Sequence, residues 1–427
     1  MTAAAGAATA VPWWKEPTKD QWMAWIAGWL GWTLDAFDFT IFLLLMVPIA
    51  KDFGVPLLAV TAVFSVTLWL RLVGATAAGW LADRIGRKGP LMISIAWYSV
   101  CNLLAGLSPT FTLLFVFRAL LGIGMGAEWP VGASLAMEAW PARSRGLMSG
   151  LLQGSWGLGF LLSSAAYGLL YDSIGWRGLL MLGVLPAFAV LWIRRYVKES
   201  DVWVENRRKQ QEQQRHFRAP LFHIFRPAVL GNTLSCCLWL ASAFVIYYTV
   251  FGMFPTHLQK DLHFGPEAVA LPLALSNGVT FLASGFWGWV ADKIGRRWGI
   301  IFPGVLGAMI TPFYLFPWSY GVLVAAFTVQ GALLGSIYGQ QPSYLSERFP
   351  TQVRATATGF CYHQGAIWAG FAAPILTSWA AGMPDGFTMP MLYTTLGACV
   401  MLVISLMFGP ETKGSILVAD LQLASEP

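Results

Sequence analysis

A ten-residue basic segment occurs twice in this chain, and its copies lie 209 positions apart. The first reads Gly79-Trp80-Leu81-Ala82-Asp83-Arg84-Ile85-Gly86-Arg87-Lys88. The second reads Gly288-Trp289-Val290-Ala291-Asp292-Lys293-Ile294-Gly295-Arg296-Arg297, and seven of the ten positions are identical. A second motif returns at the same offset: Glu138, Pro141 and Arg145 recur as Glu347, Pro350 and Arg354. Two unrelated motifs sharing one offset mean a tandem duplication, so both halves must adopt one fold. Each basic copy sits between two long apolar stretches. Duplicated membrane bundles joined by short basic turns are the plan of a secondary transporter.

Composition puts the chain in a membrane. Of 427 residues, 56% are hydrophobic and 11% charged, against about 25% charged in a soluble globular protein. A helix crossing a bilayer needs roughly 20 apolar residues. Stretches of that kind cover 22–50, 57–82, 89–108, 110–136, 146–171, 177–197, 228–257, 266–291, 298–317, 319–345, 355–380 and 388–409. The expected fold class is therefore an all-α membrane protein with twelve transmembrane helices in two six-helix repeats. Its expected parts are an N-terminal tail 1–21, a bundle 22–197, a linker 198–227, a second bundle 228–409 and a C-terminal tail 410–427.

The net charge of +6 invites a nucleic-acid reading, and its distribution argues against one. With the amino terminus inside, 22 of the 27 Lys and Arg fall on the cytoplasmic side, nine of them between Arg194 and Arg226. Only Lys51, Arg177 and Lys260 fall outside, while Arg71 and Arg118 lie within spans. The positive-inside rule then sets both termini in the cytoplasm. A short surface helix and a solvated coil are equal expectations for the linker around Arg207-Arg208-Lys209. The Ala-rich first twenty residues lack a signal-peptide layout, so targeting is expected to rest on the first apolar stretch. No phosphate-binding Gly-rich loop occurs, no metal-ligand spacing joins the five cysteines, and no cofactor is expected.

Five ionisable residues fall deep inside apolar spans: Asp35, Asp38, Arg71, Arg118 and Glu128. Each costs at least a few kcal/mol there, which makes each a functional candidate. Adding 209 gives Phe244, Tyr247, Thr280, Phe327 and Ile337, all uncharged. The second half builds the same bundle without these charges, so they serve a cycle rather than the architecture. Static salt bridges are the blander alternative. Depth at 1.5 Å per residue sets Asp35 and Asp38 roughly 20–24 Å from the cytoplasmic end, level with Arg118. The expected pairs are Asp35 or Asp38 with Arg118, and Arg71 with Glu128. An anion competing for an arginine would free a carboxylate to take up a proton. In the basic turns, Gly79 and Gly86 allow close approach and a tight turn. Asp83 can accept hydrogen bonds from a neighbouring helix terminus or pair with an arginine. Topology alone would place Arg84 and Arg87 there, but the repeat at fixed spacing favours a latch in which Asp292 and Arg296 mirror Asp83 and Arg87.

Gly79-x-x-x-Asp83-Arg84-x-Gly86-Arg87-Lys88 after the second of twelve helices resembles the signature of the major facilitator superfamily. The repeated Glu-x-x-Pro-x-x-x-Arg turn, Arg118-x-x-x-Gly122-x-Gly124-x-Gly126 and Pro410-Glu411-Thr412-Lys413-Gly414 carry the same likeness. Trp29 to Phe39, Ile123 to Trp129 and Glu138-Ala139-Trp140-Pro141 are similar to the sialic acid:proton symporter group. That group includes fungal lactate and pyruvate permeases and is related to the aromatic-acid:proton symporters. The resemblance implies uptake of organic acid anions with protons by alternating access in the major facilitator fold. It also implies a cavity lined by helices 1, 4, 7 and 10. Here these helices offer Tyr247, Tyr248, Tyr338, Gln340 and Gln341, with Gln153, Asn277, His363, Trp129, Trp156 and Trp368 as lesser candidates. Phe244, Tyr248, Phe251 and Gly252 stand where the permeases are polar, so the likeness does not carry a substrate over.

These residues give one expectation: a proton-coupled importer of a small carboxylate in a plasma membrane, the bacterial inner membrane, working as a monomer and not as an enzyme. Arg118 binds the anion with Tyr247, Tyr248, Tyr338 and Gln341. Asp35, Asp38, Glu128 and Arg71 couple protons. Gly79, Asp83, Arg84, Gly86, Arg87, Asp292 and Arg296 close the cytoplasmic gate. A proton-driven exporter of a drug or metabolite and a non-transporting membrane receptor are the rival expectations.

Overall fold

Thr18 opens the first crossing. Its side chain accepts from the Gln21 amide at 3.3 Å while Gln21 Oε1 accepts from the Thr18 amide at 2.8 Å, a reciprocal cap for the first orphan donors of the helix. In the computed structural model, which describes residues 12–212, 220–264, 266–316 and 319–417, the first half comprises α1 (Lys19–Phe53), α2 (Leu57–Ile85), α3 (Lys88–Gly106), α4 (Phe111–Ala139), α5 (Arg145–Met181) and α6 (Pro186–Tyr196). The linker contributes α7 (Asp201–Glu212) and α8 (Pro220–His223). The second half comprises α9 (Pro227–Tyr247), α10 (Met253–Lys260), α11 (Pro266–Ile294), α12 (Arg296–Leu315), α13 (Tyr320–Gln330), α14 (Gln341–Arg348), α15 (Arg354–Ala380) and α16 (Thr388–Met407). Residues 1–11, 213–219 and 418–427, parts of the expected tails and linker, lie outside the described residues.

Eight helical stretches among the described residues are long and apolar enough to cross a bilayer. One of them, 142–196, crosses twice. Gly175, with φ 62° and ψ −174°, breaks α5 in a region of backbone space open essentially to glycine alone. Arg177 just beyond it bonds the carbonyl of Ser108 at one face, while the Arg194 carbonyl is back beside Lys88 at the face of the basic turns. The long helices α2, α11 and α15 supply the remaining crossings of the twelve. Apolar side chains such as Leu169 (81% exposed) and Phe408 (84%) face outward, as only a lipid environment permits.

The seventh and tenth crossings are not the continuous helices the apolar lengths predict. A π-helical turn, Tyr248–Gly252, separates α9 from α10. Another, Gly331–Gly335, and a 3-10 turn, Ser336–Gln340, separate α13 from α14. Such turns interrupt the i−4 ladder and turn side chains out of helical register. Their first-half counterparts α1 and α4 have no such interruption. The halves meet along two small-residue contacts. Gly79 lies against the backbone of Ala355 and Thr356, and Gly146 against that of Gly288, so a side chain at either glycine would collide with the facing helix. The largest apolar core runs across this seam, from Trp25, Trp129 and Trp140 to Trp239, Tyr344 and Tyr362.

Candidate functional site

The buried charges belong to the first half. Asp35 on α1 pairs with Arg71 on α2. Asp38, one turn further along α1, accepts from Asn102 Nδ2 at 3.0 Å, and Asn102 Oδ1 accepts from Arg118 Nη1 at 3.1 Å. The Arg118 guanidinium lies 4.1 Å from the centre of the Phe42 ring, and the Thr67 hydroxyl donates to the Arg118 carbonyl at 3.0 Å. Arg118 is thus enclosed within the first bundle. Glu128 is fully buried against Gly31 and Gly132, and neither carboxyl oxygen has a hydrogen-bond partner among the described residues.

This corrects the expected inner pairing and puts an amide into the outer one. Arg71 joins Asp35 instead of Glu128, and Arg118 reaches Asp38 through an amide relay. Glycines are the reason. Gly122 and Gly126 on α4 lie against the backbone of Thr67 and Arg71. The two helices touch there backbone to backbone, so the Arg71 side chain extends past α4 to α1. Sequence depth gives the level of a charge along a helix and says nothing of its bearing around it. Asn102 was the missed residue, and its signal was an amide within an apolar stretch.

Beside Arg71 stands a group of rings drawn from both halves. Its guanidinium is 5.2 Å from the Phe39 ring and 6.0 Å from that of Trp156. Trp32 and Trp156 lie 4.8 Å apart. Trp129 stacks on Tyr362 of α15 at 3.7 Å and 24°, closing the group toward the basic-turn face. Gln153 holds this stack: its Oε1 accepts from Trp129 Nε1 at 3.0 Å and its Nε2 donates to the Tyr362 hydroxyl at 3.4 Å. Gln153 and Tyr362 are themselves 209 residues apart, so duplicated positions meet across the seam. Tyr247 is 5.7 Å from Tyr248 and 5.5 Å from Tyr338, so these three expected residues do assemble. The Tyr338 hydroxyl donates to the Ala243 carbonyl at 2.6 Å.

Gln340, Gln341, His363, Asn277 and Trp368 lie elsewhere or bond locally. Gln341 is buried nearer the basic-turn face, two residues before Ser343, whose amide donates to the Ser149 hydroxyl near the start of α5. The Gln340 and Gln341 amide atoms have no hydrogen-bond partner among the described residues. His363 Nδ1 is 3.1 Å from the Gly359 carbonyl of its own helix, and Asn277 donates to the Leu273 carbonyl at 2.9 Å. Trp368 is 60% exposed.

At the basic-turn face the repeat becomes two crossed latches. Asp83 accepts from the amides of Ala355 at 3.1 Å and Thr356 at 2.9 Å, and from the Thr356 hydroxyl at 2.7 Å. Asp292 accepts from the amides of Gly146 at 2.8 Å and Leu147 at 2.9 Å. Each aspartate caps the first turn of a helix in the opposite half, where the helix dipole favours an anion. Arg87 joins Asp83 at 2.5 Å and Glu138 at 2.9 Å, and Arg354 joins Glu138 at 2.6 Å. In the copy, Arg296 joins Asp292 at 2.5 Å and Glu347 at 3.0 Å, and Arg145 joins Glu347 at 3.1 Å. Gly86 and Gly295, at φ 107° and 113°, make the turns that aim these arginines. Arg84 stays out of the latch, exposed with its guanidinium 4.9 Å from the Trp80 ring centre.

Two carboxylates of the latch are not among the expected gate residues. Glu199 accepts from the amides of Arg87 at 2.8 Å and Lys88 at 3.0 Å. Glu411 accepts likewise from Arg296 at 2.7 Å and Arg297 at 3.2 Å. Only the second had a signal, in the Pro410 to Gly414 run. Trp203 of α7 donates to the Asp83 carbonyl at 3.0 Å, which ties the linker helix to the latch.

Glu138 lies beyond the apolar stretch 110–136. Burial raises its proton affinity, but Arg87 and then Arg354 overcome this and hold its carboxyl down at about 2. A carboxylate depressed in the fold stabilises it above the ordinary range near 4.5, and loses that contribution as pH falls toward 2. The expected loss over that window is ~3 kcal/mol. Thermal unfolding in detergent should show it, and Glu138→Gln should flatten the acid limb. An unchanged acid limb in that variant would remove Glu138 as its origin.

A sequence profile of the Major Facilitator Superfamily matches residues 28–277 and 240–419. The sialic acid transporter NanX of Escherichia coli (strain K12) is 26% identical over 95% of this chain and 98% of that protein. A probable 4-methylmuconolactone transporter of Cupriavidus pinatubonensis is 30% identical over 94% of this chain and 93% of that protein. The solved structure of the proton:xylose symporter XylE bound to 6-bromo-6-deoxy-D-glucose matches with a TM-score of 0.78 at 17% identity, covering 95% of this chain and 99% of that one, a likeness of fold.

Proposed function

From the premise that this chain belongs to the Major Facilitator Superfamily, and is therefore a multi-pass membrane transporter and not an enzyme, we propose that it imports a small organic acid anion together with a proton. The observation that carries this reading is Glu128. Among the five buried charges, Arg71 offsets Asp35, and Arg118 offsets Asp38 through Asn102. Among the described residues Glu128 has neither a counter-charge in contact nor a hydrogen bond. An isolated carboxylate away from water is so costly as an anion that it holds its proton instead. Glu128 is then the seat of the coupled proton in the closed arrangement.

Arg71 is the group that meets the anion, because of the two arginines deep inside the spans it alone stands beside a ring group drawn from both halves. A carboxylate arriving on Arg71 releases Asp35, and the pair re-forms when the anion leaves. Asp35 and Asp38 respond to the anion, and Arg118 holds Asp38 in place. Tyr247, Tyr248 and Tyr338 wall the far side. The crossed latches of Asp83 and Asp292 hold the cytoplasmic side shut, and they break when the bundles 22–197 and 228–409 rock apart. The charge bias of the loops supports a bacterial inner-membrane orientation with both termini in the cytoplasm. That the relative NanX carries an acid supports the substrate class.

The test is uptake of labelled carboxylates into proteoliposomes with the outside about one pH unit more acidic than the lumen. One-to-one electroneutral symport should accumulate the acid about tenfold, since a pH unit is about 1.4 kcal/mol. A protonophore should abolish the gain. Uptake indifferent to the pH gradient would sink the symport reading, and proton-driven expulsion of organic cations would favour the exporter.

A further inference from the structure

We infer that the carried acid is a flat, unsaturated ring acid, an aromatic or heteroaromatic carboxylate, and neither a polyhydroxylated sugar acid nor a short aliphatic acid. The inference rests on the reading of Arg71 as the anion's partner. It names the body attached to that anion.

The first ground is the surface offered around Arg71. Trp156, Tyr247 and Tyr248 are half-buried, while Trp129 is 1% and Tyr362 7% exposed. The ring surfaces near Arg71 are thus indole and phenol, drawn from both halves and joined through the Trp129–Tyr362 stack. Ring faces reward a flat unsaturated solute through stacked or edge contacts, and a saturated one less. The guanidinium, 6.0 Å from the Trp156 ring, places a bound carboxylate at the edge of those rings.

The second ground is the count of polar groups left to a solute. The Tyr362 hydroxyl and Trp129 Nε1 are both committed to Gln153. Tyr247 lies within hydrogen-bond reach of Trp156. Trp32 Nε1 is buried in the same group with no partner among the described residues. Arg71, one idle indole N–H and the Tyr248 hydroxyl suit a carboxylate and at most a ring heteroatom. A sugar acid would bring four or five hydroxyls and find too few partners, and buried polar groups without partners are costly. A short aliphatic acid would fill the arginine and leave the rings untouched.

The experiment is calorimetric titration of the purified protein in detergent with four acids: benzoate, cyclohexanecarboxylate, gluconate and lactate. Benzoate and cyclohexanecarboxylate have the same size and charge and differ in flatness and unsaturation. Benzoate should bind roughly tenfold more tightly than cyclohexanecarboxylate, the scale of one or two aromatic contacts, and gluconate and lactate more weakly still. Trp156→Leu should erase the preference for benzoate while leaving cyclohexanecarboxylate within about threefold, and Trp156→Phe should restore it, on the same aromatic scale. Binding of gluconate or lactate tighter than benzoate, or equal binding of the two ring acids, overturns this inference and leaves the acid-anion reading standing. Binding of none of the four, with organic cations bound instead, overturns that reading and this inference with it.

Discussion

Replacing Glu128 with glutamine is expected to bring accumulation driven by one pH unit from about tenfold down to unity, while substrate exchange across the membrane continues. Glutamine has nearly the size of the protonated acid and, like it, no charge. It therefore copies the closed arrangement, in which Glu128 is buried against Gly31 and Gly132 without a hydrogen bond. The protein should fold with undiminished thermal stability, because no ion pair or hydrogen bond seen at Glu128 is lost. Only the ability to release and recover a proton disappears. Counterflow of labelled acid against unlabelled acid measures exchange without a gradient, and the pH-jump assay measures coupling. Full accumulation by the glutamine variant would place the coupled proton on Asp35 or Asp38 instead.

Removing Arg71 has the second large effect, and it should register in two ways. Asp35, fully buried, would lose its counter-charge. Deleting one partner of a buried pair costs about 3–5 kcal/mol, so Arg71→Leu should be markedly less stable in detergent. Loss of the substrate's charged partner is worth about 2–5 kcal/mol of binding, which is roughly a 30-fold to several-thousand-fold weaker dissociation constant. The double variant Arg71→Leu with Asp35→Leu separates the two effects. It should recover stability, since well-packed apolar residues can replace a buried pair at little cost, and it should still fail to bind acids. Lysine at 71 keeps a charge without the planar fork and should recover only part of the affinity. If acids bind the double variant as they bind the native protein, the anion meets Arg118 or another group.

Both predictions concern charges that were legible in the sequence and contacts that were not. Asp35, Asp38, Arg71, Arg118 and Glu128 stood out because ionisable groups are costly at bilayer depth, and their uncharged counterparts in the second half served as an internal control. Their partners depended on helix rotation, which leaves no mark in a single chain. The latch was easier to read. Asp83 and Arg87 recur as Asp292 and Arg296 at one offset, and a turn of fixed geometry leaves them little choice of neighbour. Even so, Glu199 came from the linker, outside the repeated motif. The interrupted seventh and tenth crossings were hidden, because a π turn such as Tyr248–Gly252 changes the register of side chains without altering apolar length.

Sequence by itself determined that the chain is a duplicated bundle of twelve apolar crossings, with its basic turn written twice. These are properties measured along the chain, and a bilayer of fixed thickness converts length and charge directly into topology. Tertiary structure alone decided that Arg71 answers Asp35, that Asn102 links Asp38 to Arg118, and that Glu128 is left alone. Those outcomes hang on glycines 50 or so residues away, such as Gly122 and Gly126 against Thr67 and Arg71. The distance between two helices fixes which way a buried side chain can turn, and that distance is a property of the pair.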